Sequence, residues 1–364
     1  MISKNEPSVY RKPFRLGVVE GFFGRQWSWQ ARHDYASFLT AQGFNSYIYA
    51  PKNDGYFRKQ WQVPCQADHL QQLQQLSRHY QQQQLDFGIG LSPFELYRDF
   101  SANNRALLQL KLEQINTIAP QTLCILFDDM MGNLDKLAQV QLEIVDFVRS
   151  NSSAQSFVVC PTYYSDDPLL TRYFGAQPQH YLDDLGKGLA QDIDVFWTGP
   201  KVISASYPRE HLLAVAQRLG RKPLLWDNYP VNDAKRLTNH LHLKPFINRE
   251  KYLQELTQGH LANPMNQAYL SQLPLVSLAA LYTDKTSNAS QAVTEAWQTL
   301  CSPDLATALQ EDVELFHTMG LAGISAQDHK LLVNKYVKFQ PHVMAVEVLD
   351  WLQGNYSFDP TCLT

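Results

Sequence analysis

Over roughly the first 280 residues, short β-rich apolar runs alternate with longer segments whose apolar positions recur at helical spacing. The runs RLGVVEGFF (15–23), SYIYAPK (46–52), DFGIGLSP (86–93), TLCILFDD (122–129), SFVVCPTYY (156–164), VFWTGPKV (195–202), PLLWDN (223–228) and GHLANP (259–264) read as strands. The intervening segments read as helices over 29–42, 67–83, 102–117, 134–149, 178–188, 208–219, 249–257 and 266–282. Strand-then-helix order, repeated, requires parallel pairing with the helices outside. CILF and FVVC are apolar on successive residues, the mark of strands covered on both faces. Eight repeats over about 270 residues predict a (β/α)8 TIM barrel. An open doubly wound sheet is the alternative, weakened because no GxGxxG follows the first strand.

From about Ser287 the pattern becomes helical only. QAVTEAWQTL, LATALQEDVELFHTM and HKLLVNKYVKFQPHVMAVEVLDWL predict about three packed helices, with Ser302-Pro303 as a helix start. The expected organisation is a catalytic barrel over 1–285 and a C-terminal α-helical region over 286–364. In LQQLQQLSRHYQQQQL, Leu70, Leu73 and Leu76 share one face, so the glutamines belong to the solvent side of a surface helix.

Composition narrows the class. Of 364 residues, 45% are hydrophobic and 18% charged, enough apolar mass for a large core. The formal net charge of −4 leaves no basic footprint for nucleic acid. No apolar run approaches the roughly 18 residues a membrane span needs. MISKNEPSVYRKPFRLG lacks the apolar core of a secretory signal. Cys65, Cys124, Cys160, Cys301 and Cys362 are odd in number and contain no CxxC pair. Neither a disulfide framework nor a zinc site is expected, and a cytoplasmic location is.

A barrel of this kind carries its chemistry at the C-terminal strand ends. Polar and aromatic residues collect there: EGFFGR, APKND, FDDM, CPTYY, WTGPK, WDN and ANP. The sharpest feature is Asp128-Asp129 after LCILF. Two adjacent carboxyls raise each other's proton affinity, so one can stay ionised while the other holds a proton, as acid–base catalysis needs. Adjacent strand residues point to opposite faces. Both can enter one pocket only if the chain leaves strand geometry near Asp129. A helix N-cap or solvated turn, or a pair of ligands for Mg²⁺ or Mn²⁺, would also account for the pair.

The motifs GVVEGFFGR, YIYAPKND, LFDDM, CPTYY, WTGPKV, WDN followed by ND, and ANP, in that order over roughly 15–285, resemble glycoside hydrolase family 84, the O-GlcNAcases and related β-N-acetylglucosaminidases. The resemblance implies an exo-acting retaining enzyme without a protein nucleophile or a cofactor. The sugar's own 2-acetamido oxygen attacks C1 and forms an oxazoline, an exception to the usual two-carboxylate scheme. It further implies that Asp128 orients the acetamido N–H and that Asp129 protonates the leaving oxygen and then activates water. Gly21 would let backbone approach the ligand. Lys52, Asn228, Asp233 and Asn263 would bond sugar hydroxyls, Tyr164 would donate near the acetamido oxygen, and Trp226 would wall the acetamido methyl. The implied partner is an N-acetylglucosamine-bearing glycan or glycoprotein. Phe23 stands where vertebrate members have Tyr, and Tyr163 where they have an acidic residue. A non-catalytic sugar-binding relative and a metal-dependent barrel hydrolase are the rival readings.

Overall fold

The structure is a computed structural model that describes residues 13–283 and 289–356. Residues 1–12, Cys362, Ser287 and the expected 285/286 boundary lie outside the described residues. Eight parallel strands close into a barrel in sequence order: β1 (Arg15–Glu20), β2 (Ser46–Tyr49), β3 (Asp86–Leu91), β4 (Thr122–Leu126), β5 (Ser156–Cys160), β6 (Asp194–Trp197), β7 (Leu224–Asp227) and β8 (Gly259–Ala262). Closure is by β8 on β1, with Gly17 level with Leu261. Around the barrel run α1 (Trp29–Gln42), α2 (Ala67–Gln82), α3 (Ala102–Ile118), α4 (Leu137–Asn151), α5 (Pro168–Phe174), α6 (Tyr181–Gly188), α7 (Arg209–Leu219), α8 (Leu253–Leu256) and α9 (Ala268–Tyr282).

Local chemistry sets the boundaries. Ser28 caps α1 by accepting from Ala31 N–H, and Leu73, Leu76 and Tyr80 bury the apolar face of α2. The run expected over 195–202 stops as a strand at Trp197, because Gly199-Pro200 turns the chain and the Thr198 hydroxyl donates to Lys201 O. An unforeseen helix, α5, starts where Asp167 caps Leu169 N–H with Pro168 at its first position. The helix expected over 249–257 shrinks to α8, since Arg249 is drawn to Asp227 instead.

The floor of the barrel is a polar plug. Arg15 donates to Thr122 and Ser156 and pairs with Asp86, which accepts from the Thr122 hydroxyl.

The C-terminal region is helical, as expected, but its last run divides. It holds α10 (Ala289–Leu300), α11 (Pro303–Glu314), α12 (Ala326–Val337) and α13 (Val343–Leu352). Pro341 cannot donate an N–H, so the expected single segment over 329–352 becomes α12 and α13. Ser302 caps α11 with Pro303 at its first position. Trp297, Leu309, Phe316, Tyr336 and Trp351 share one core with Leu241, Leu243, Met265, Leu270 and Leu273 of the barrel part. Each large apolar side chain buried there is worth roughly 1.5–3 kcal/mol. The buried Glu347 of α13 accepts from the N–H groups of Tyr269 and Leu270 at the start of α9.

Candidate active site

Alternation along each strand decides what enters the barrel mouth. Glu20, at the end of β1, turns outward and pairs with buried Arg32 of α1. Asp54 also turns away, accepting from the Tyr49 hydroxyl at 2.6 Å and lying 2.9 Å from His69. Asp227 in β7 faces Arg249 and His260, and these hold its carboxyl down to about 2 against the penalty of burial. These charges brace the scaffold.

After β4 the chain keeps one more ladder bond, from Phe127 N–H to Cys160 O at 2.9 Å. It then breaks strand geometry. Asp129 sits at φ +55°, the left-handed region that costs a non-glycine residue about 1–2 kcal/mol. This turn is the departure that alternation demanded, and the Asp128 charge acts on Asp129 across it. Such a cost, held in place by the surrounding fold, is characteristic of functional positions.

The two carboxyls have different surroundings. Asp128 is buried, and its Oδ2 is ion-paired with the buried Lys52 ammonium. Its other oxygen, Oδ1, is buried with no hydrogen-bond partner among the described residues. Asp129 is half-buried and accepts from the Tyr164 hydroxyl at 2.9 Å. Desolvation and the Asp128 charge raise its carboxyl above the usual range, opposed by Lys52 and Arg58. The Tyr164 hydroxyl is itself pushed well up, by burial and then by Asp129, so it remains a donor.

A second group lines the β7–β8–β1 side. Trp226, buried in β7, donates from Nε1 to Asn228 Oδ1 at 3.0 Å. Asn263 Nδ2 donates to the same oxygen at 3.0 Å, and Asn263 Oδ1 accepts from Gly21 N–H at 3.2 Å. Asn228 Nδ2 donates to Val202 O at 2.8 Å. The two amides are thus oriented by one another, and each NH2 has a second hydrogen to offer. Lys52 Nζ lies 5.6 Å from the Trp226 ring centre, which joins this group to the Asp128 pair. Asp233 Oδ2 accepts from Phe23 N–H at 2.9 Å, and burial raises its carboxyl to about 6, with Asp129 adding to the effect.

The structure therefore brings Asp128, Asp129, Lys52, Tyr164, Trp226, Asn228, Asn263 and Gly21 into one connected mouth, with Asp233 electrostatically coupled to Asp129. Gly21 has a reason the sequence did not reveal. A Cβ there would stand 2.2 Å from Trp226 Cζ2, so the missing side chain makes room for the indole. Sequence reasoning also passed over Arg58, a lone loop arginine with no motif or spacing to single it out. It is buried and stacks between the rings of Phe23 and Phe94, 5.3 and 5.1 Å from their centres. Among the described residues no group of three or more His, Cys, Asp or Glu side chains could hold a metal ion. The oxygen of Asp128 nearest a cation already has Lys52.

Comparison with known proteins gives the chain's family and fold relatives. A family model described as beta-N-acetylglucosaminidase matches residues 16–316. The chain is 30% identical over 278 residues to Protein O-GlcNAcase of Rattus norvegicus, and equally to that of Mus musculus, across 74% of its own length. It spans about 30% of the length of those curated relatives. A solved O-GlcNAc hydrolase of Thermobaculum terrenum, in mutant form, superposes with a TM-score of 0.74 at 28% identity, covering 94% of this chain and 81% of that one.

Proposed function

The chain belongs to the beta-N-acetylglucosaminidase family, and from that premise we propose that it is a retaining, exo-acting hydrolase of β-linked N-acetylglucosamine that uses the substrate's acetamido group as its nucleophile. One observation carries the reading. Two neighbouring carboxyls share a mouth, one ion-paired to Lys52 and the other with a raised proton affinity and a Tyr164 hydrogen bond.

In the first step Asp129 gives its proton to the glycosidic oxygen as the C1–O bond breaks. The acetamido oxygen forms the new bond to C1, and Asp128 accepts from the acetamido N–H, whose acidity grows as the oxazolinium forms. The buried, unpartnered Oδ1 of Asp128 suits that acceptor role, because an unsatisfied buried oxygen is stabilised by the donor. In the second step Asp129, now anionic, takes a proton from water as the water oxygen attacks C1. The acetamido group is released with C1 inverted twice, which is net retention. The Tyr164 hydroxyl steadies Asp129 and stands ready to donate near the acetamido oxygen. Trp226 supplies an apolar wall for the methyl. Lys52, Asn228, Asp233 and Asn263 offer donors and acceptors to the sugar hydroxyls.

N-acetylglucosamine on protein Ser or Thr is part of the proposed substrate class, and the relatives named for O-GlcNAc support it. A reducing, cytoplasmic setting is proposed as well, supported by Cys65, Cys124, Cys160 and Cys301, all buried free thiols. The direct test is turnover of 4-nitrophenyl β-N-acetylglucosaminide against 4-nitrophenyl β-glucoside, which lacks the acetamido group. The first should be cleaved and the second left essentially intact. Equal cleavage of both would overturn the acetamido mechanism, and cleavage of neither would overturn the hydrolase reading.

A further inference from the structure

The buried arginines differ in one respect. Arg32 pairs with Glu20, Arg249 pairs with Asp227, and half-buried Arg221 donates to five backbone carbonyls. Arg58 is as deeply buried, at 4% exposure, yet has no carboxylate or carbonyl partner among the described residues. Its Nε and Nη1 are buried and unpartnered. Stacking on Phe23 and Phe94 offsets part of the desolvation cost but satisfies none of the in-plane N–H groups. Buried N–H groups of a cation left without a hydrogen-bond acceptor are costly, and here the fold retains two.

A second orphan lies in the same corner. Ser92, just after β3, donates its backbone N–H to Phe57 O at 2.8 Å, beside Arg58, and leaves its own hydroxyl buried and unpartnered. The corner adjoins the catalytic mouth through Phe23, which stacks on Arg58 and donates its N–H to Asp233 at 2.9 Å, and the Arg58 charge acts on the Asp129 carboxyl. Asp129 is the residue that meets the leaving oxygen in the reading above.

We propose that the corner between the β2 and β3 loops is an aglycone subsite in which Arg58, assisted by Ser92, binds a carboxylate on the leaving group. The preferred substrates are then β-N-acetylglucosaminides of acidic aglycones. This rests on the glycosidase reading and adds a specificity to it. The guanidinium supplies the charge and a planar set of donors, and Ser92 supplies a hydroxyl to the same anion.

The experiment compares 4-carboxyphenyl with 4-carbamoylphenyl β-N-acetylglucosaminide. The two aglycones are nearly isosteric, and the carboxylate is the poorer leaving group, so a preference for it must come from binding. Wild-type kcat/KM should favour the carboxylate by about tenfold or more, the size of one charge-assisted hydrogen bond. The preference should persist at raised ionic strength, since a buried pair is weakly screened. Arg58→Gln should bring the ratio to about one, and Arg58→Lys should keep part of it. Ser92→Ala, a smaller change, should reduce it and serves if Arg58→Gln does not fold. Equal kcat/KM for the two substrates in the wild type, or a preference retained in Arg58→Gln, would overturn the proposal and leave Arg58 as a stacked structural cation. Cleavage of neither substrate would instead sink the glycosidase reading itself.

Discussion

Replacing Asp129 with Asn separates chemistry from structure more cleanly than any other change at this site. The residue sits at φ +55°, and Asn is among the few side chains that accept that region readily, so the turn is kept. Asn Oδ1 can still accept the Tyr164 hydroxyl now held at 2.9 Å. Where Asp129 is ionised, Asn also removes its repulsion with Asp128 and Asp233, set against its attraction to Lys52 and Arg58. Thermal stability should therefore stay level or rise. Asp129→Ala, in contrast, would leave the buried Tyr164 hydroxyl unpaired, at a cost of about 1–3 kcal/mol. What Asp129→Asn does remove is the transferable proton. A positioned general acid contributes about 10²–10⁴-fold, or about 3–5 kcal/mol of barrier. That loss should appear in full with alkyl β-N-acetylglucosaminides, whose leaving oxygens need a proton. It should largely vanish from the first step with nitrophenyl glycosides, whose leaving groups depart as anions. The assay is kcat/KM for both substrate types with wild type and variant, alongside a thermal melt. Equal loss across the two leaving groups, with an undisturbed melt, would refute the assignment of Asp129 as the acid.

Other consequences are as direct. Gly21→Ala should cut activity and lower the melting temperature together, because its Cβ would collide with Trp226 at 2.2 Å and displace the wall of the mouth; full activity with an unchanged melt would show that the indole can yield. Burial pushes the Glu347 carboxyl from its ordinary 4.5 up to about 8. The folded state then holds a proton that the unfolded chain has released. This contribution to stability is complete below about 4.5 and is lost as pH rises through about 8, by a few kcal/mol in all. Urea melts of wild type and Glu347→Gln across pH 5–9 should show a decline in the first that is flattened in the second, and parallel curves would reject it. Turnover should survive dialysis against EDTA, because Asp128 is already neutralised by Lys52; loss restored by Mg²⁺ or Mn²⁺ would favour the metal-dependent alternative.

The barrel was legible because both-face burial writes itself as unbroken apolar runs such as CILF and FVVC, and the helices between them carry a face. The need for a break at Asp129 was legible too, since alternation forbids two neighbours on one face. Sequence pattern says which side a residue faces, however, and not what it meets there. That is why Asn228 and Asn263 read as separate sugar contacts while the structure ties them to each other, to Trp226 and to Gly21. It is also why Gly21 read as a place where backbone meets ligand, with no sign that Trp226 would fill the space a side chain there would need. Arg58 gave no signal, because an arginine is conspicuous only through the partner it lacks in three dimensions. The reach of the C-terminal helices into the barrel was hidden for a similar reason: Glu347 reads as one polar residue in an apolar helix until it is found at the start of α9.

The central claim is that the substrate's acetamido oxygen, supported by Asp128, is the nucleophile. Its most direct test is the wild-type rate on one aryl β-glucosaminide series bearing N-acetyl, N-fluoroacetyl, N-difluoroacetyl and N-trifluoroacetyl groups. Each fluorine withdraws electrons from the attacking oxygen and changes little else in the mouth. The account predicts a steep, progressive fall in kcat along the series. A flat series would contradict it and require a nucleophile from the protein or from water.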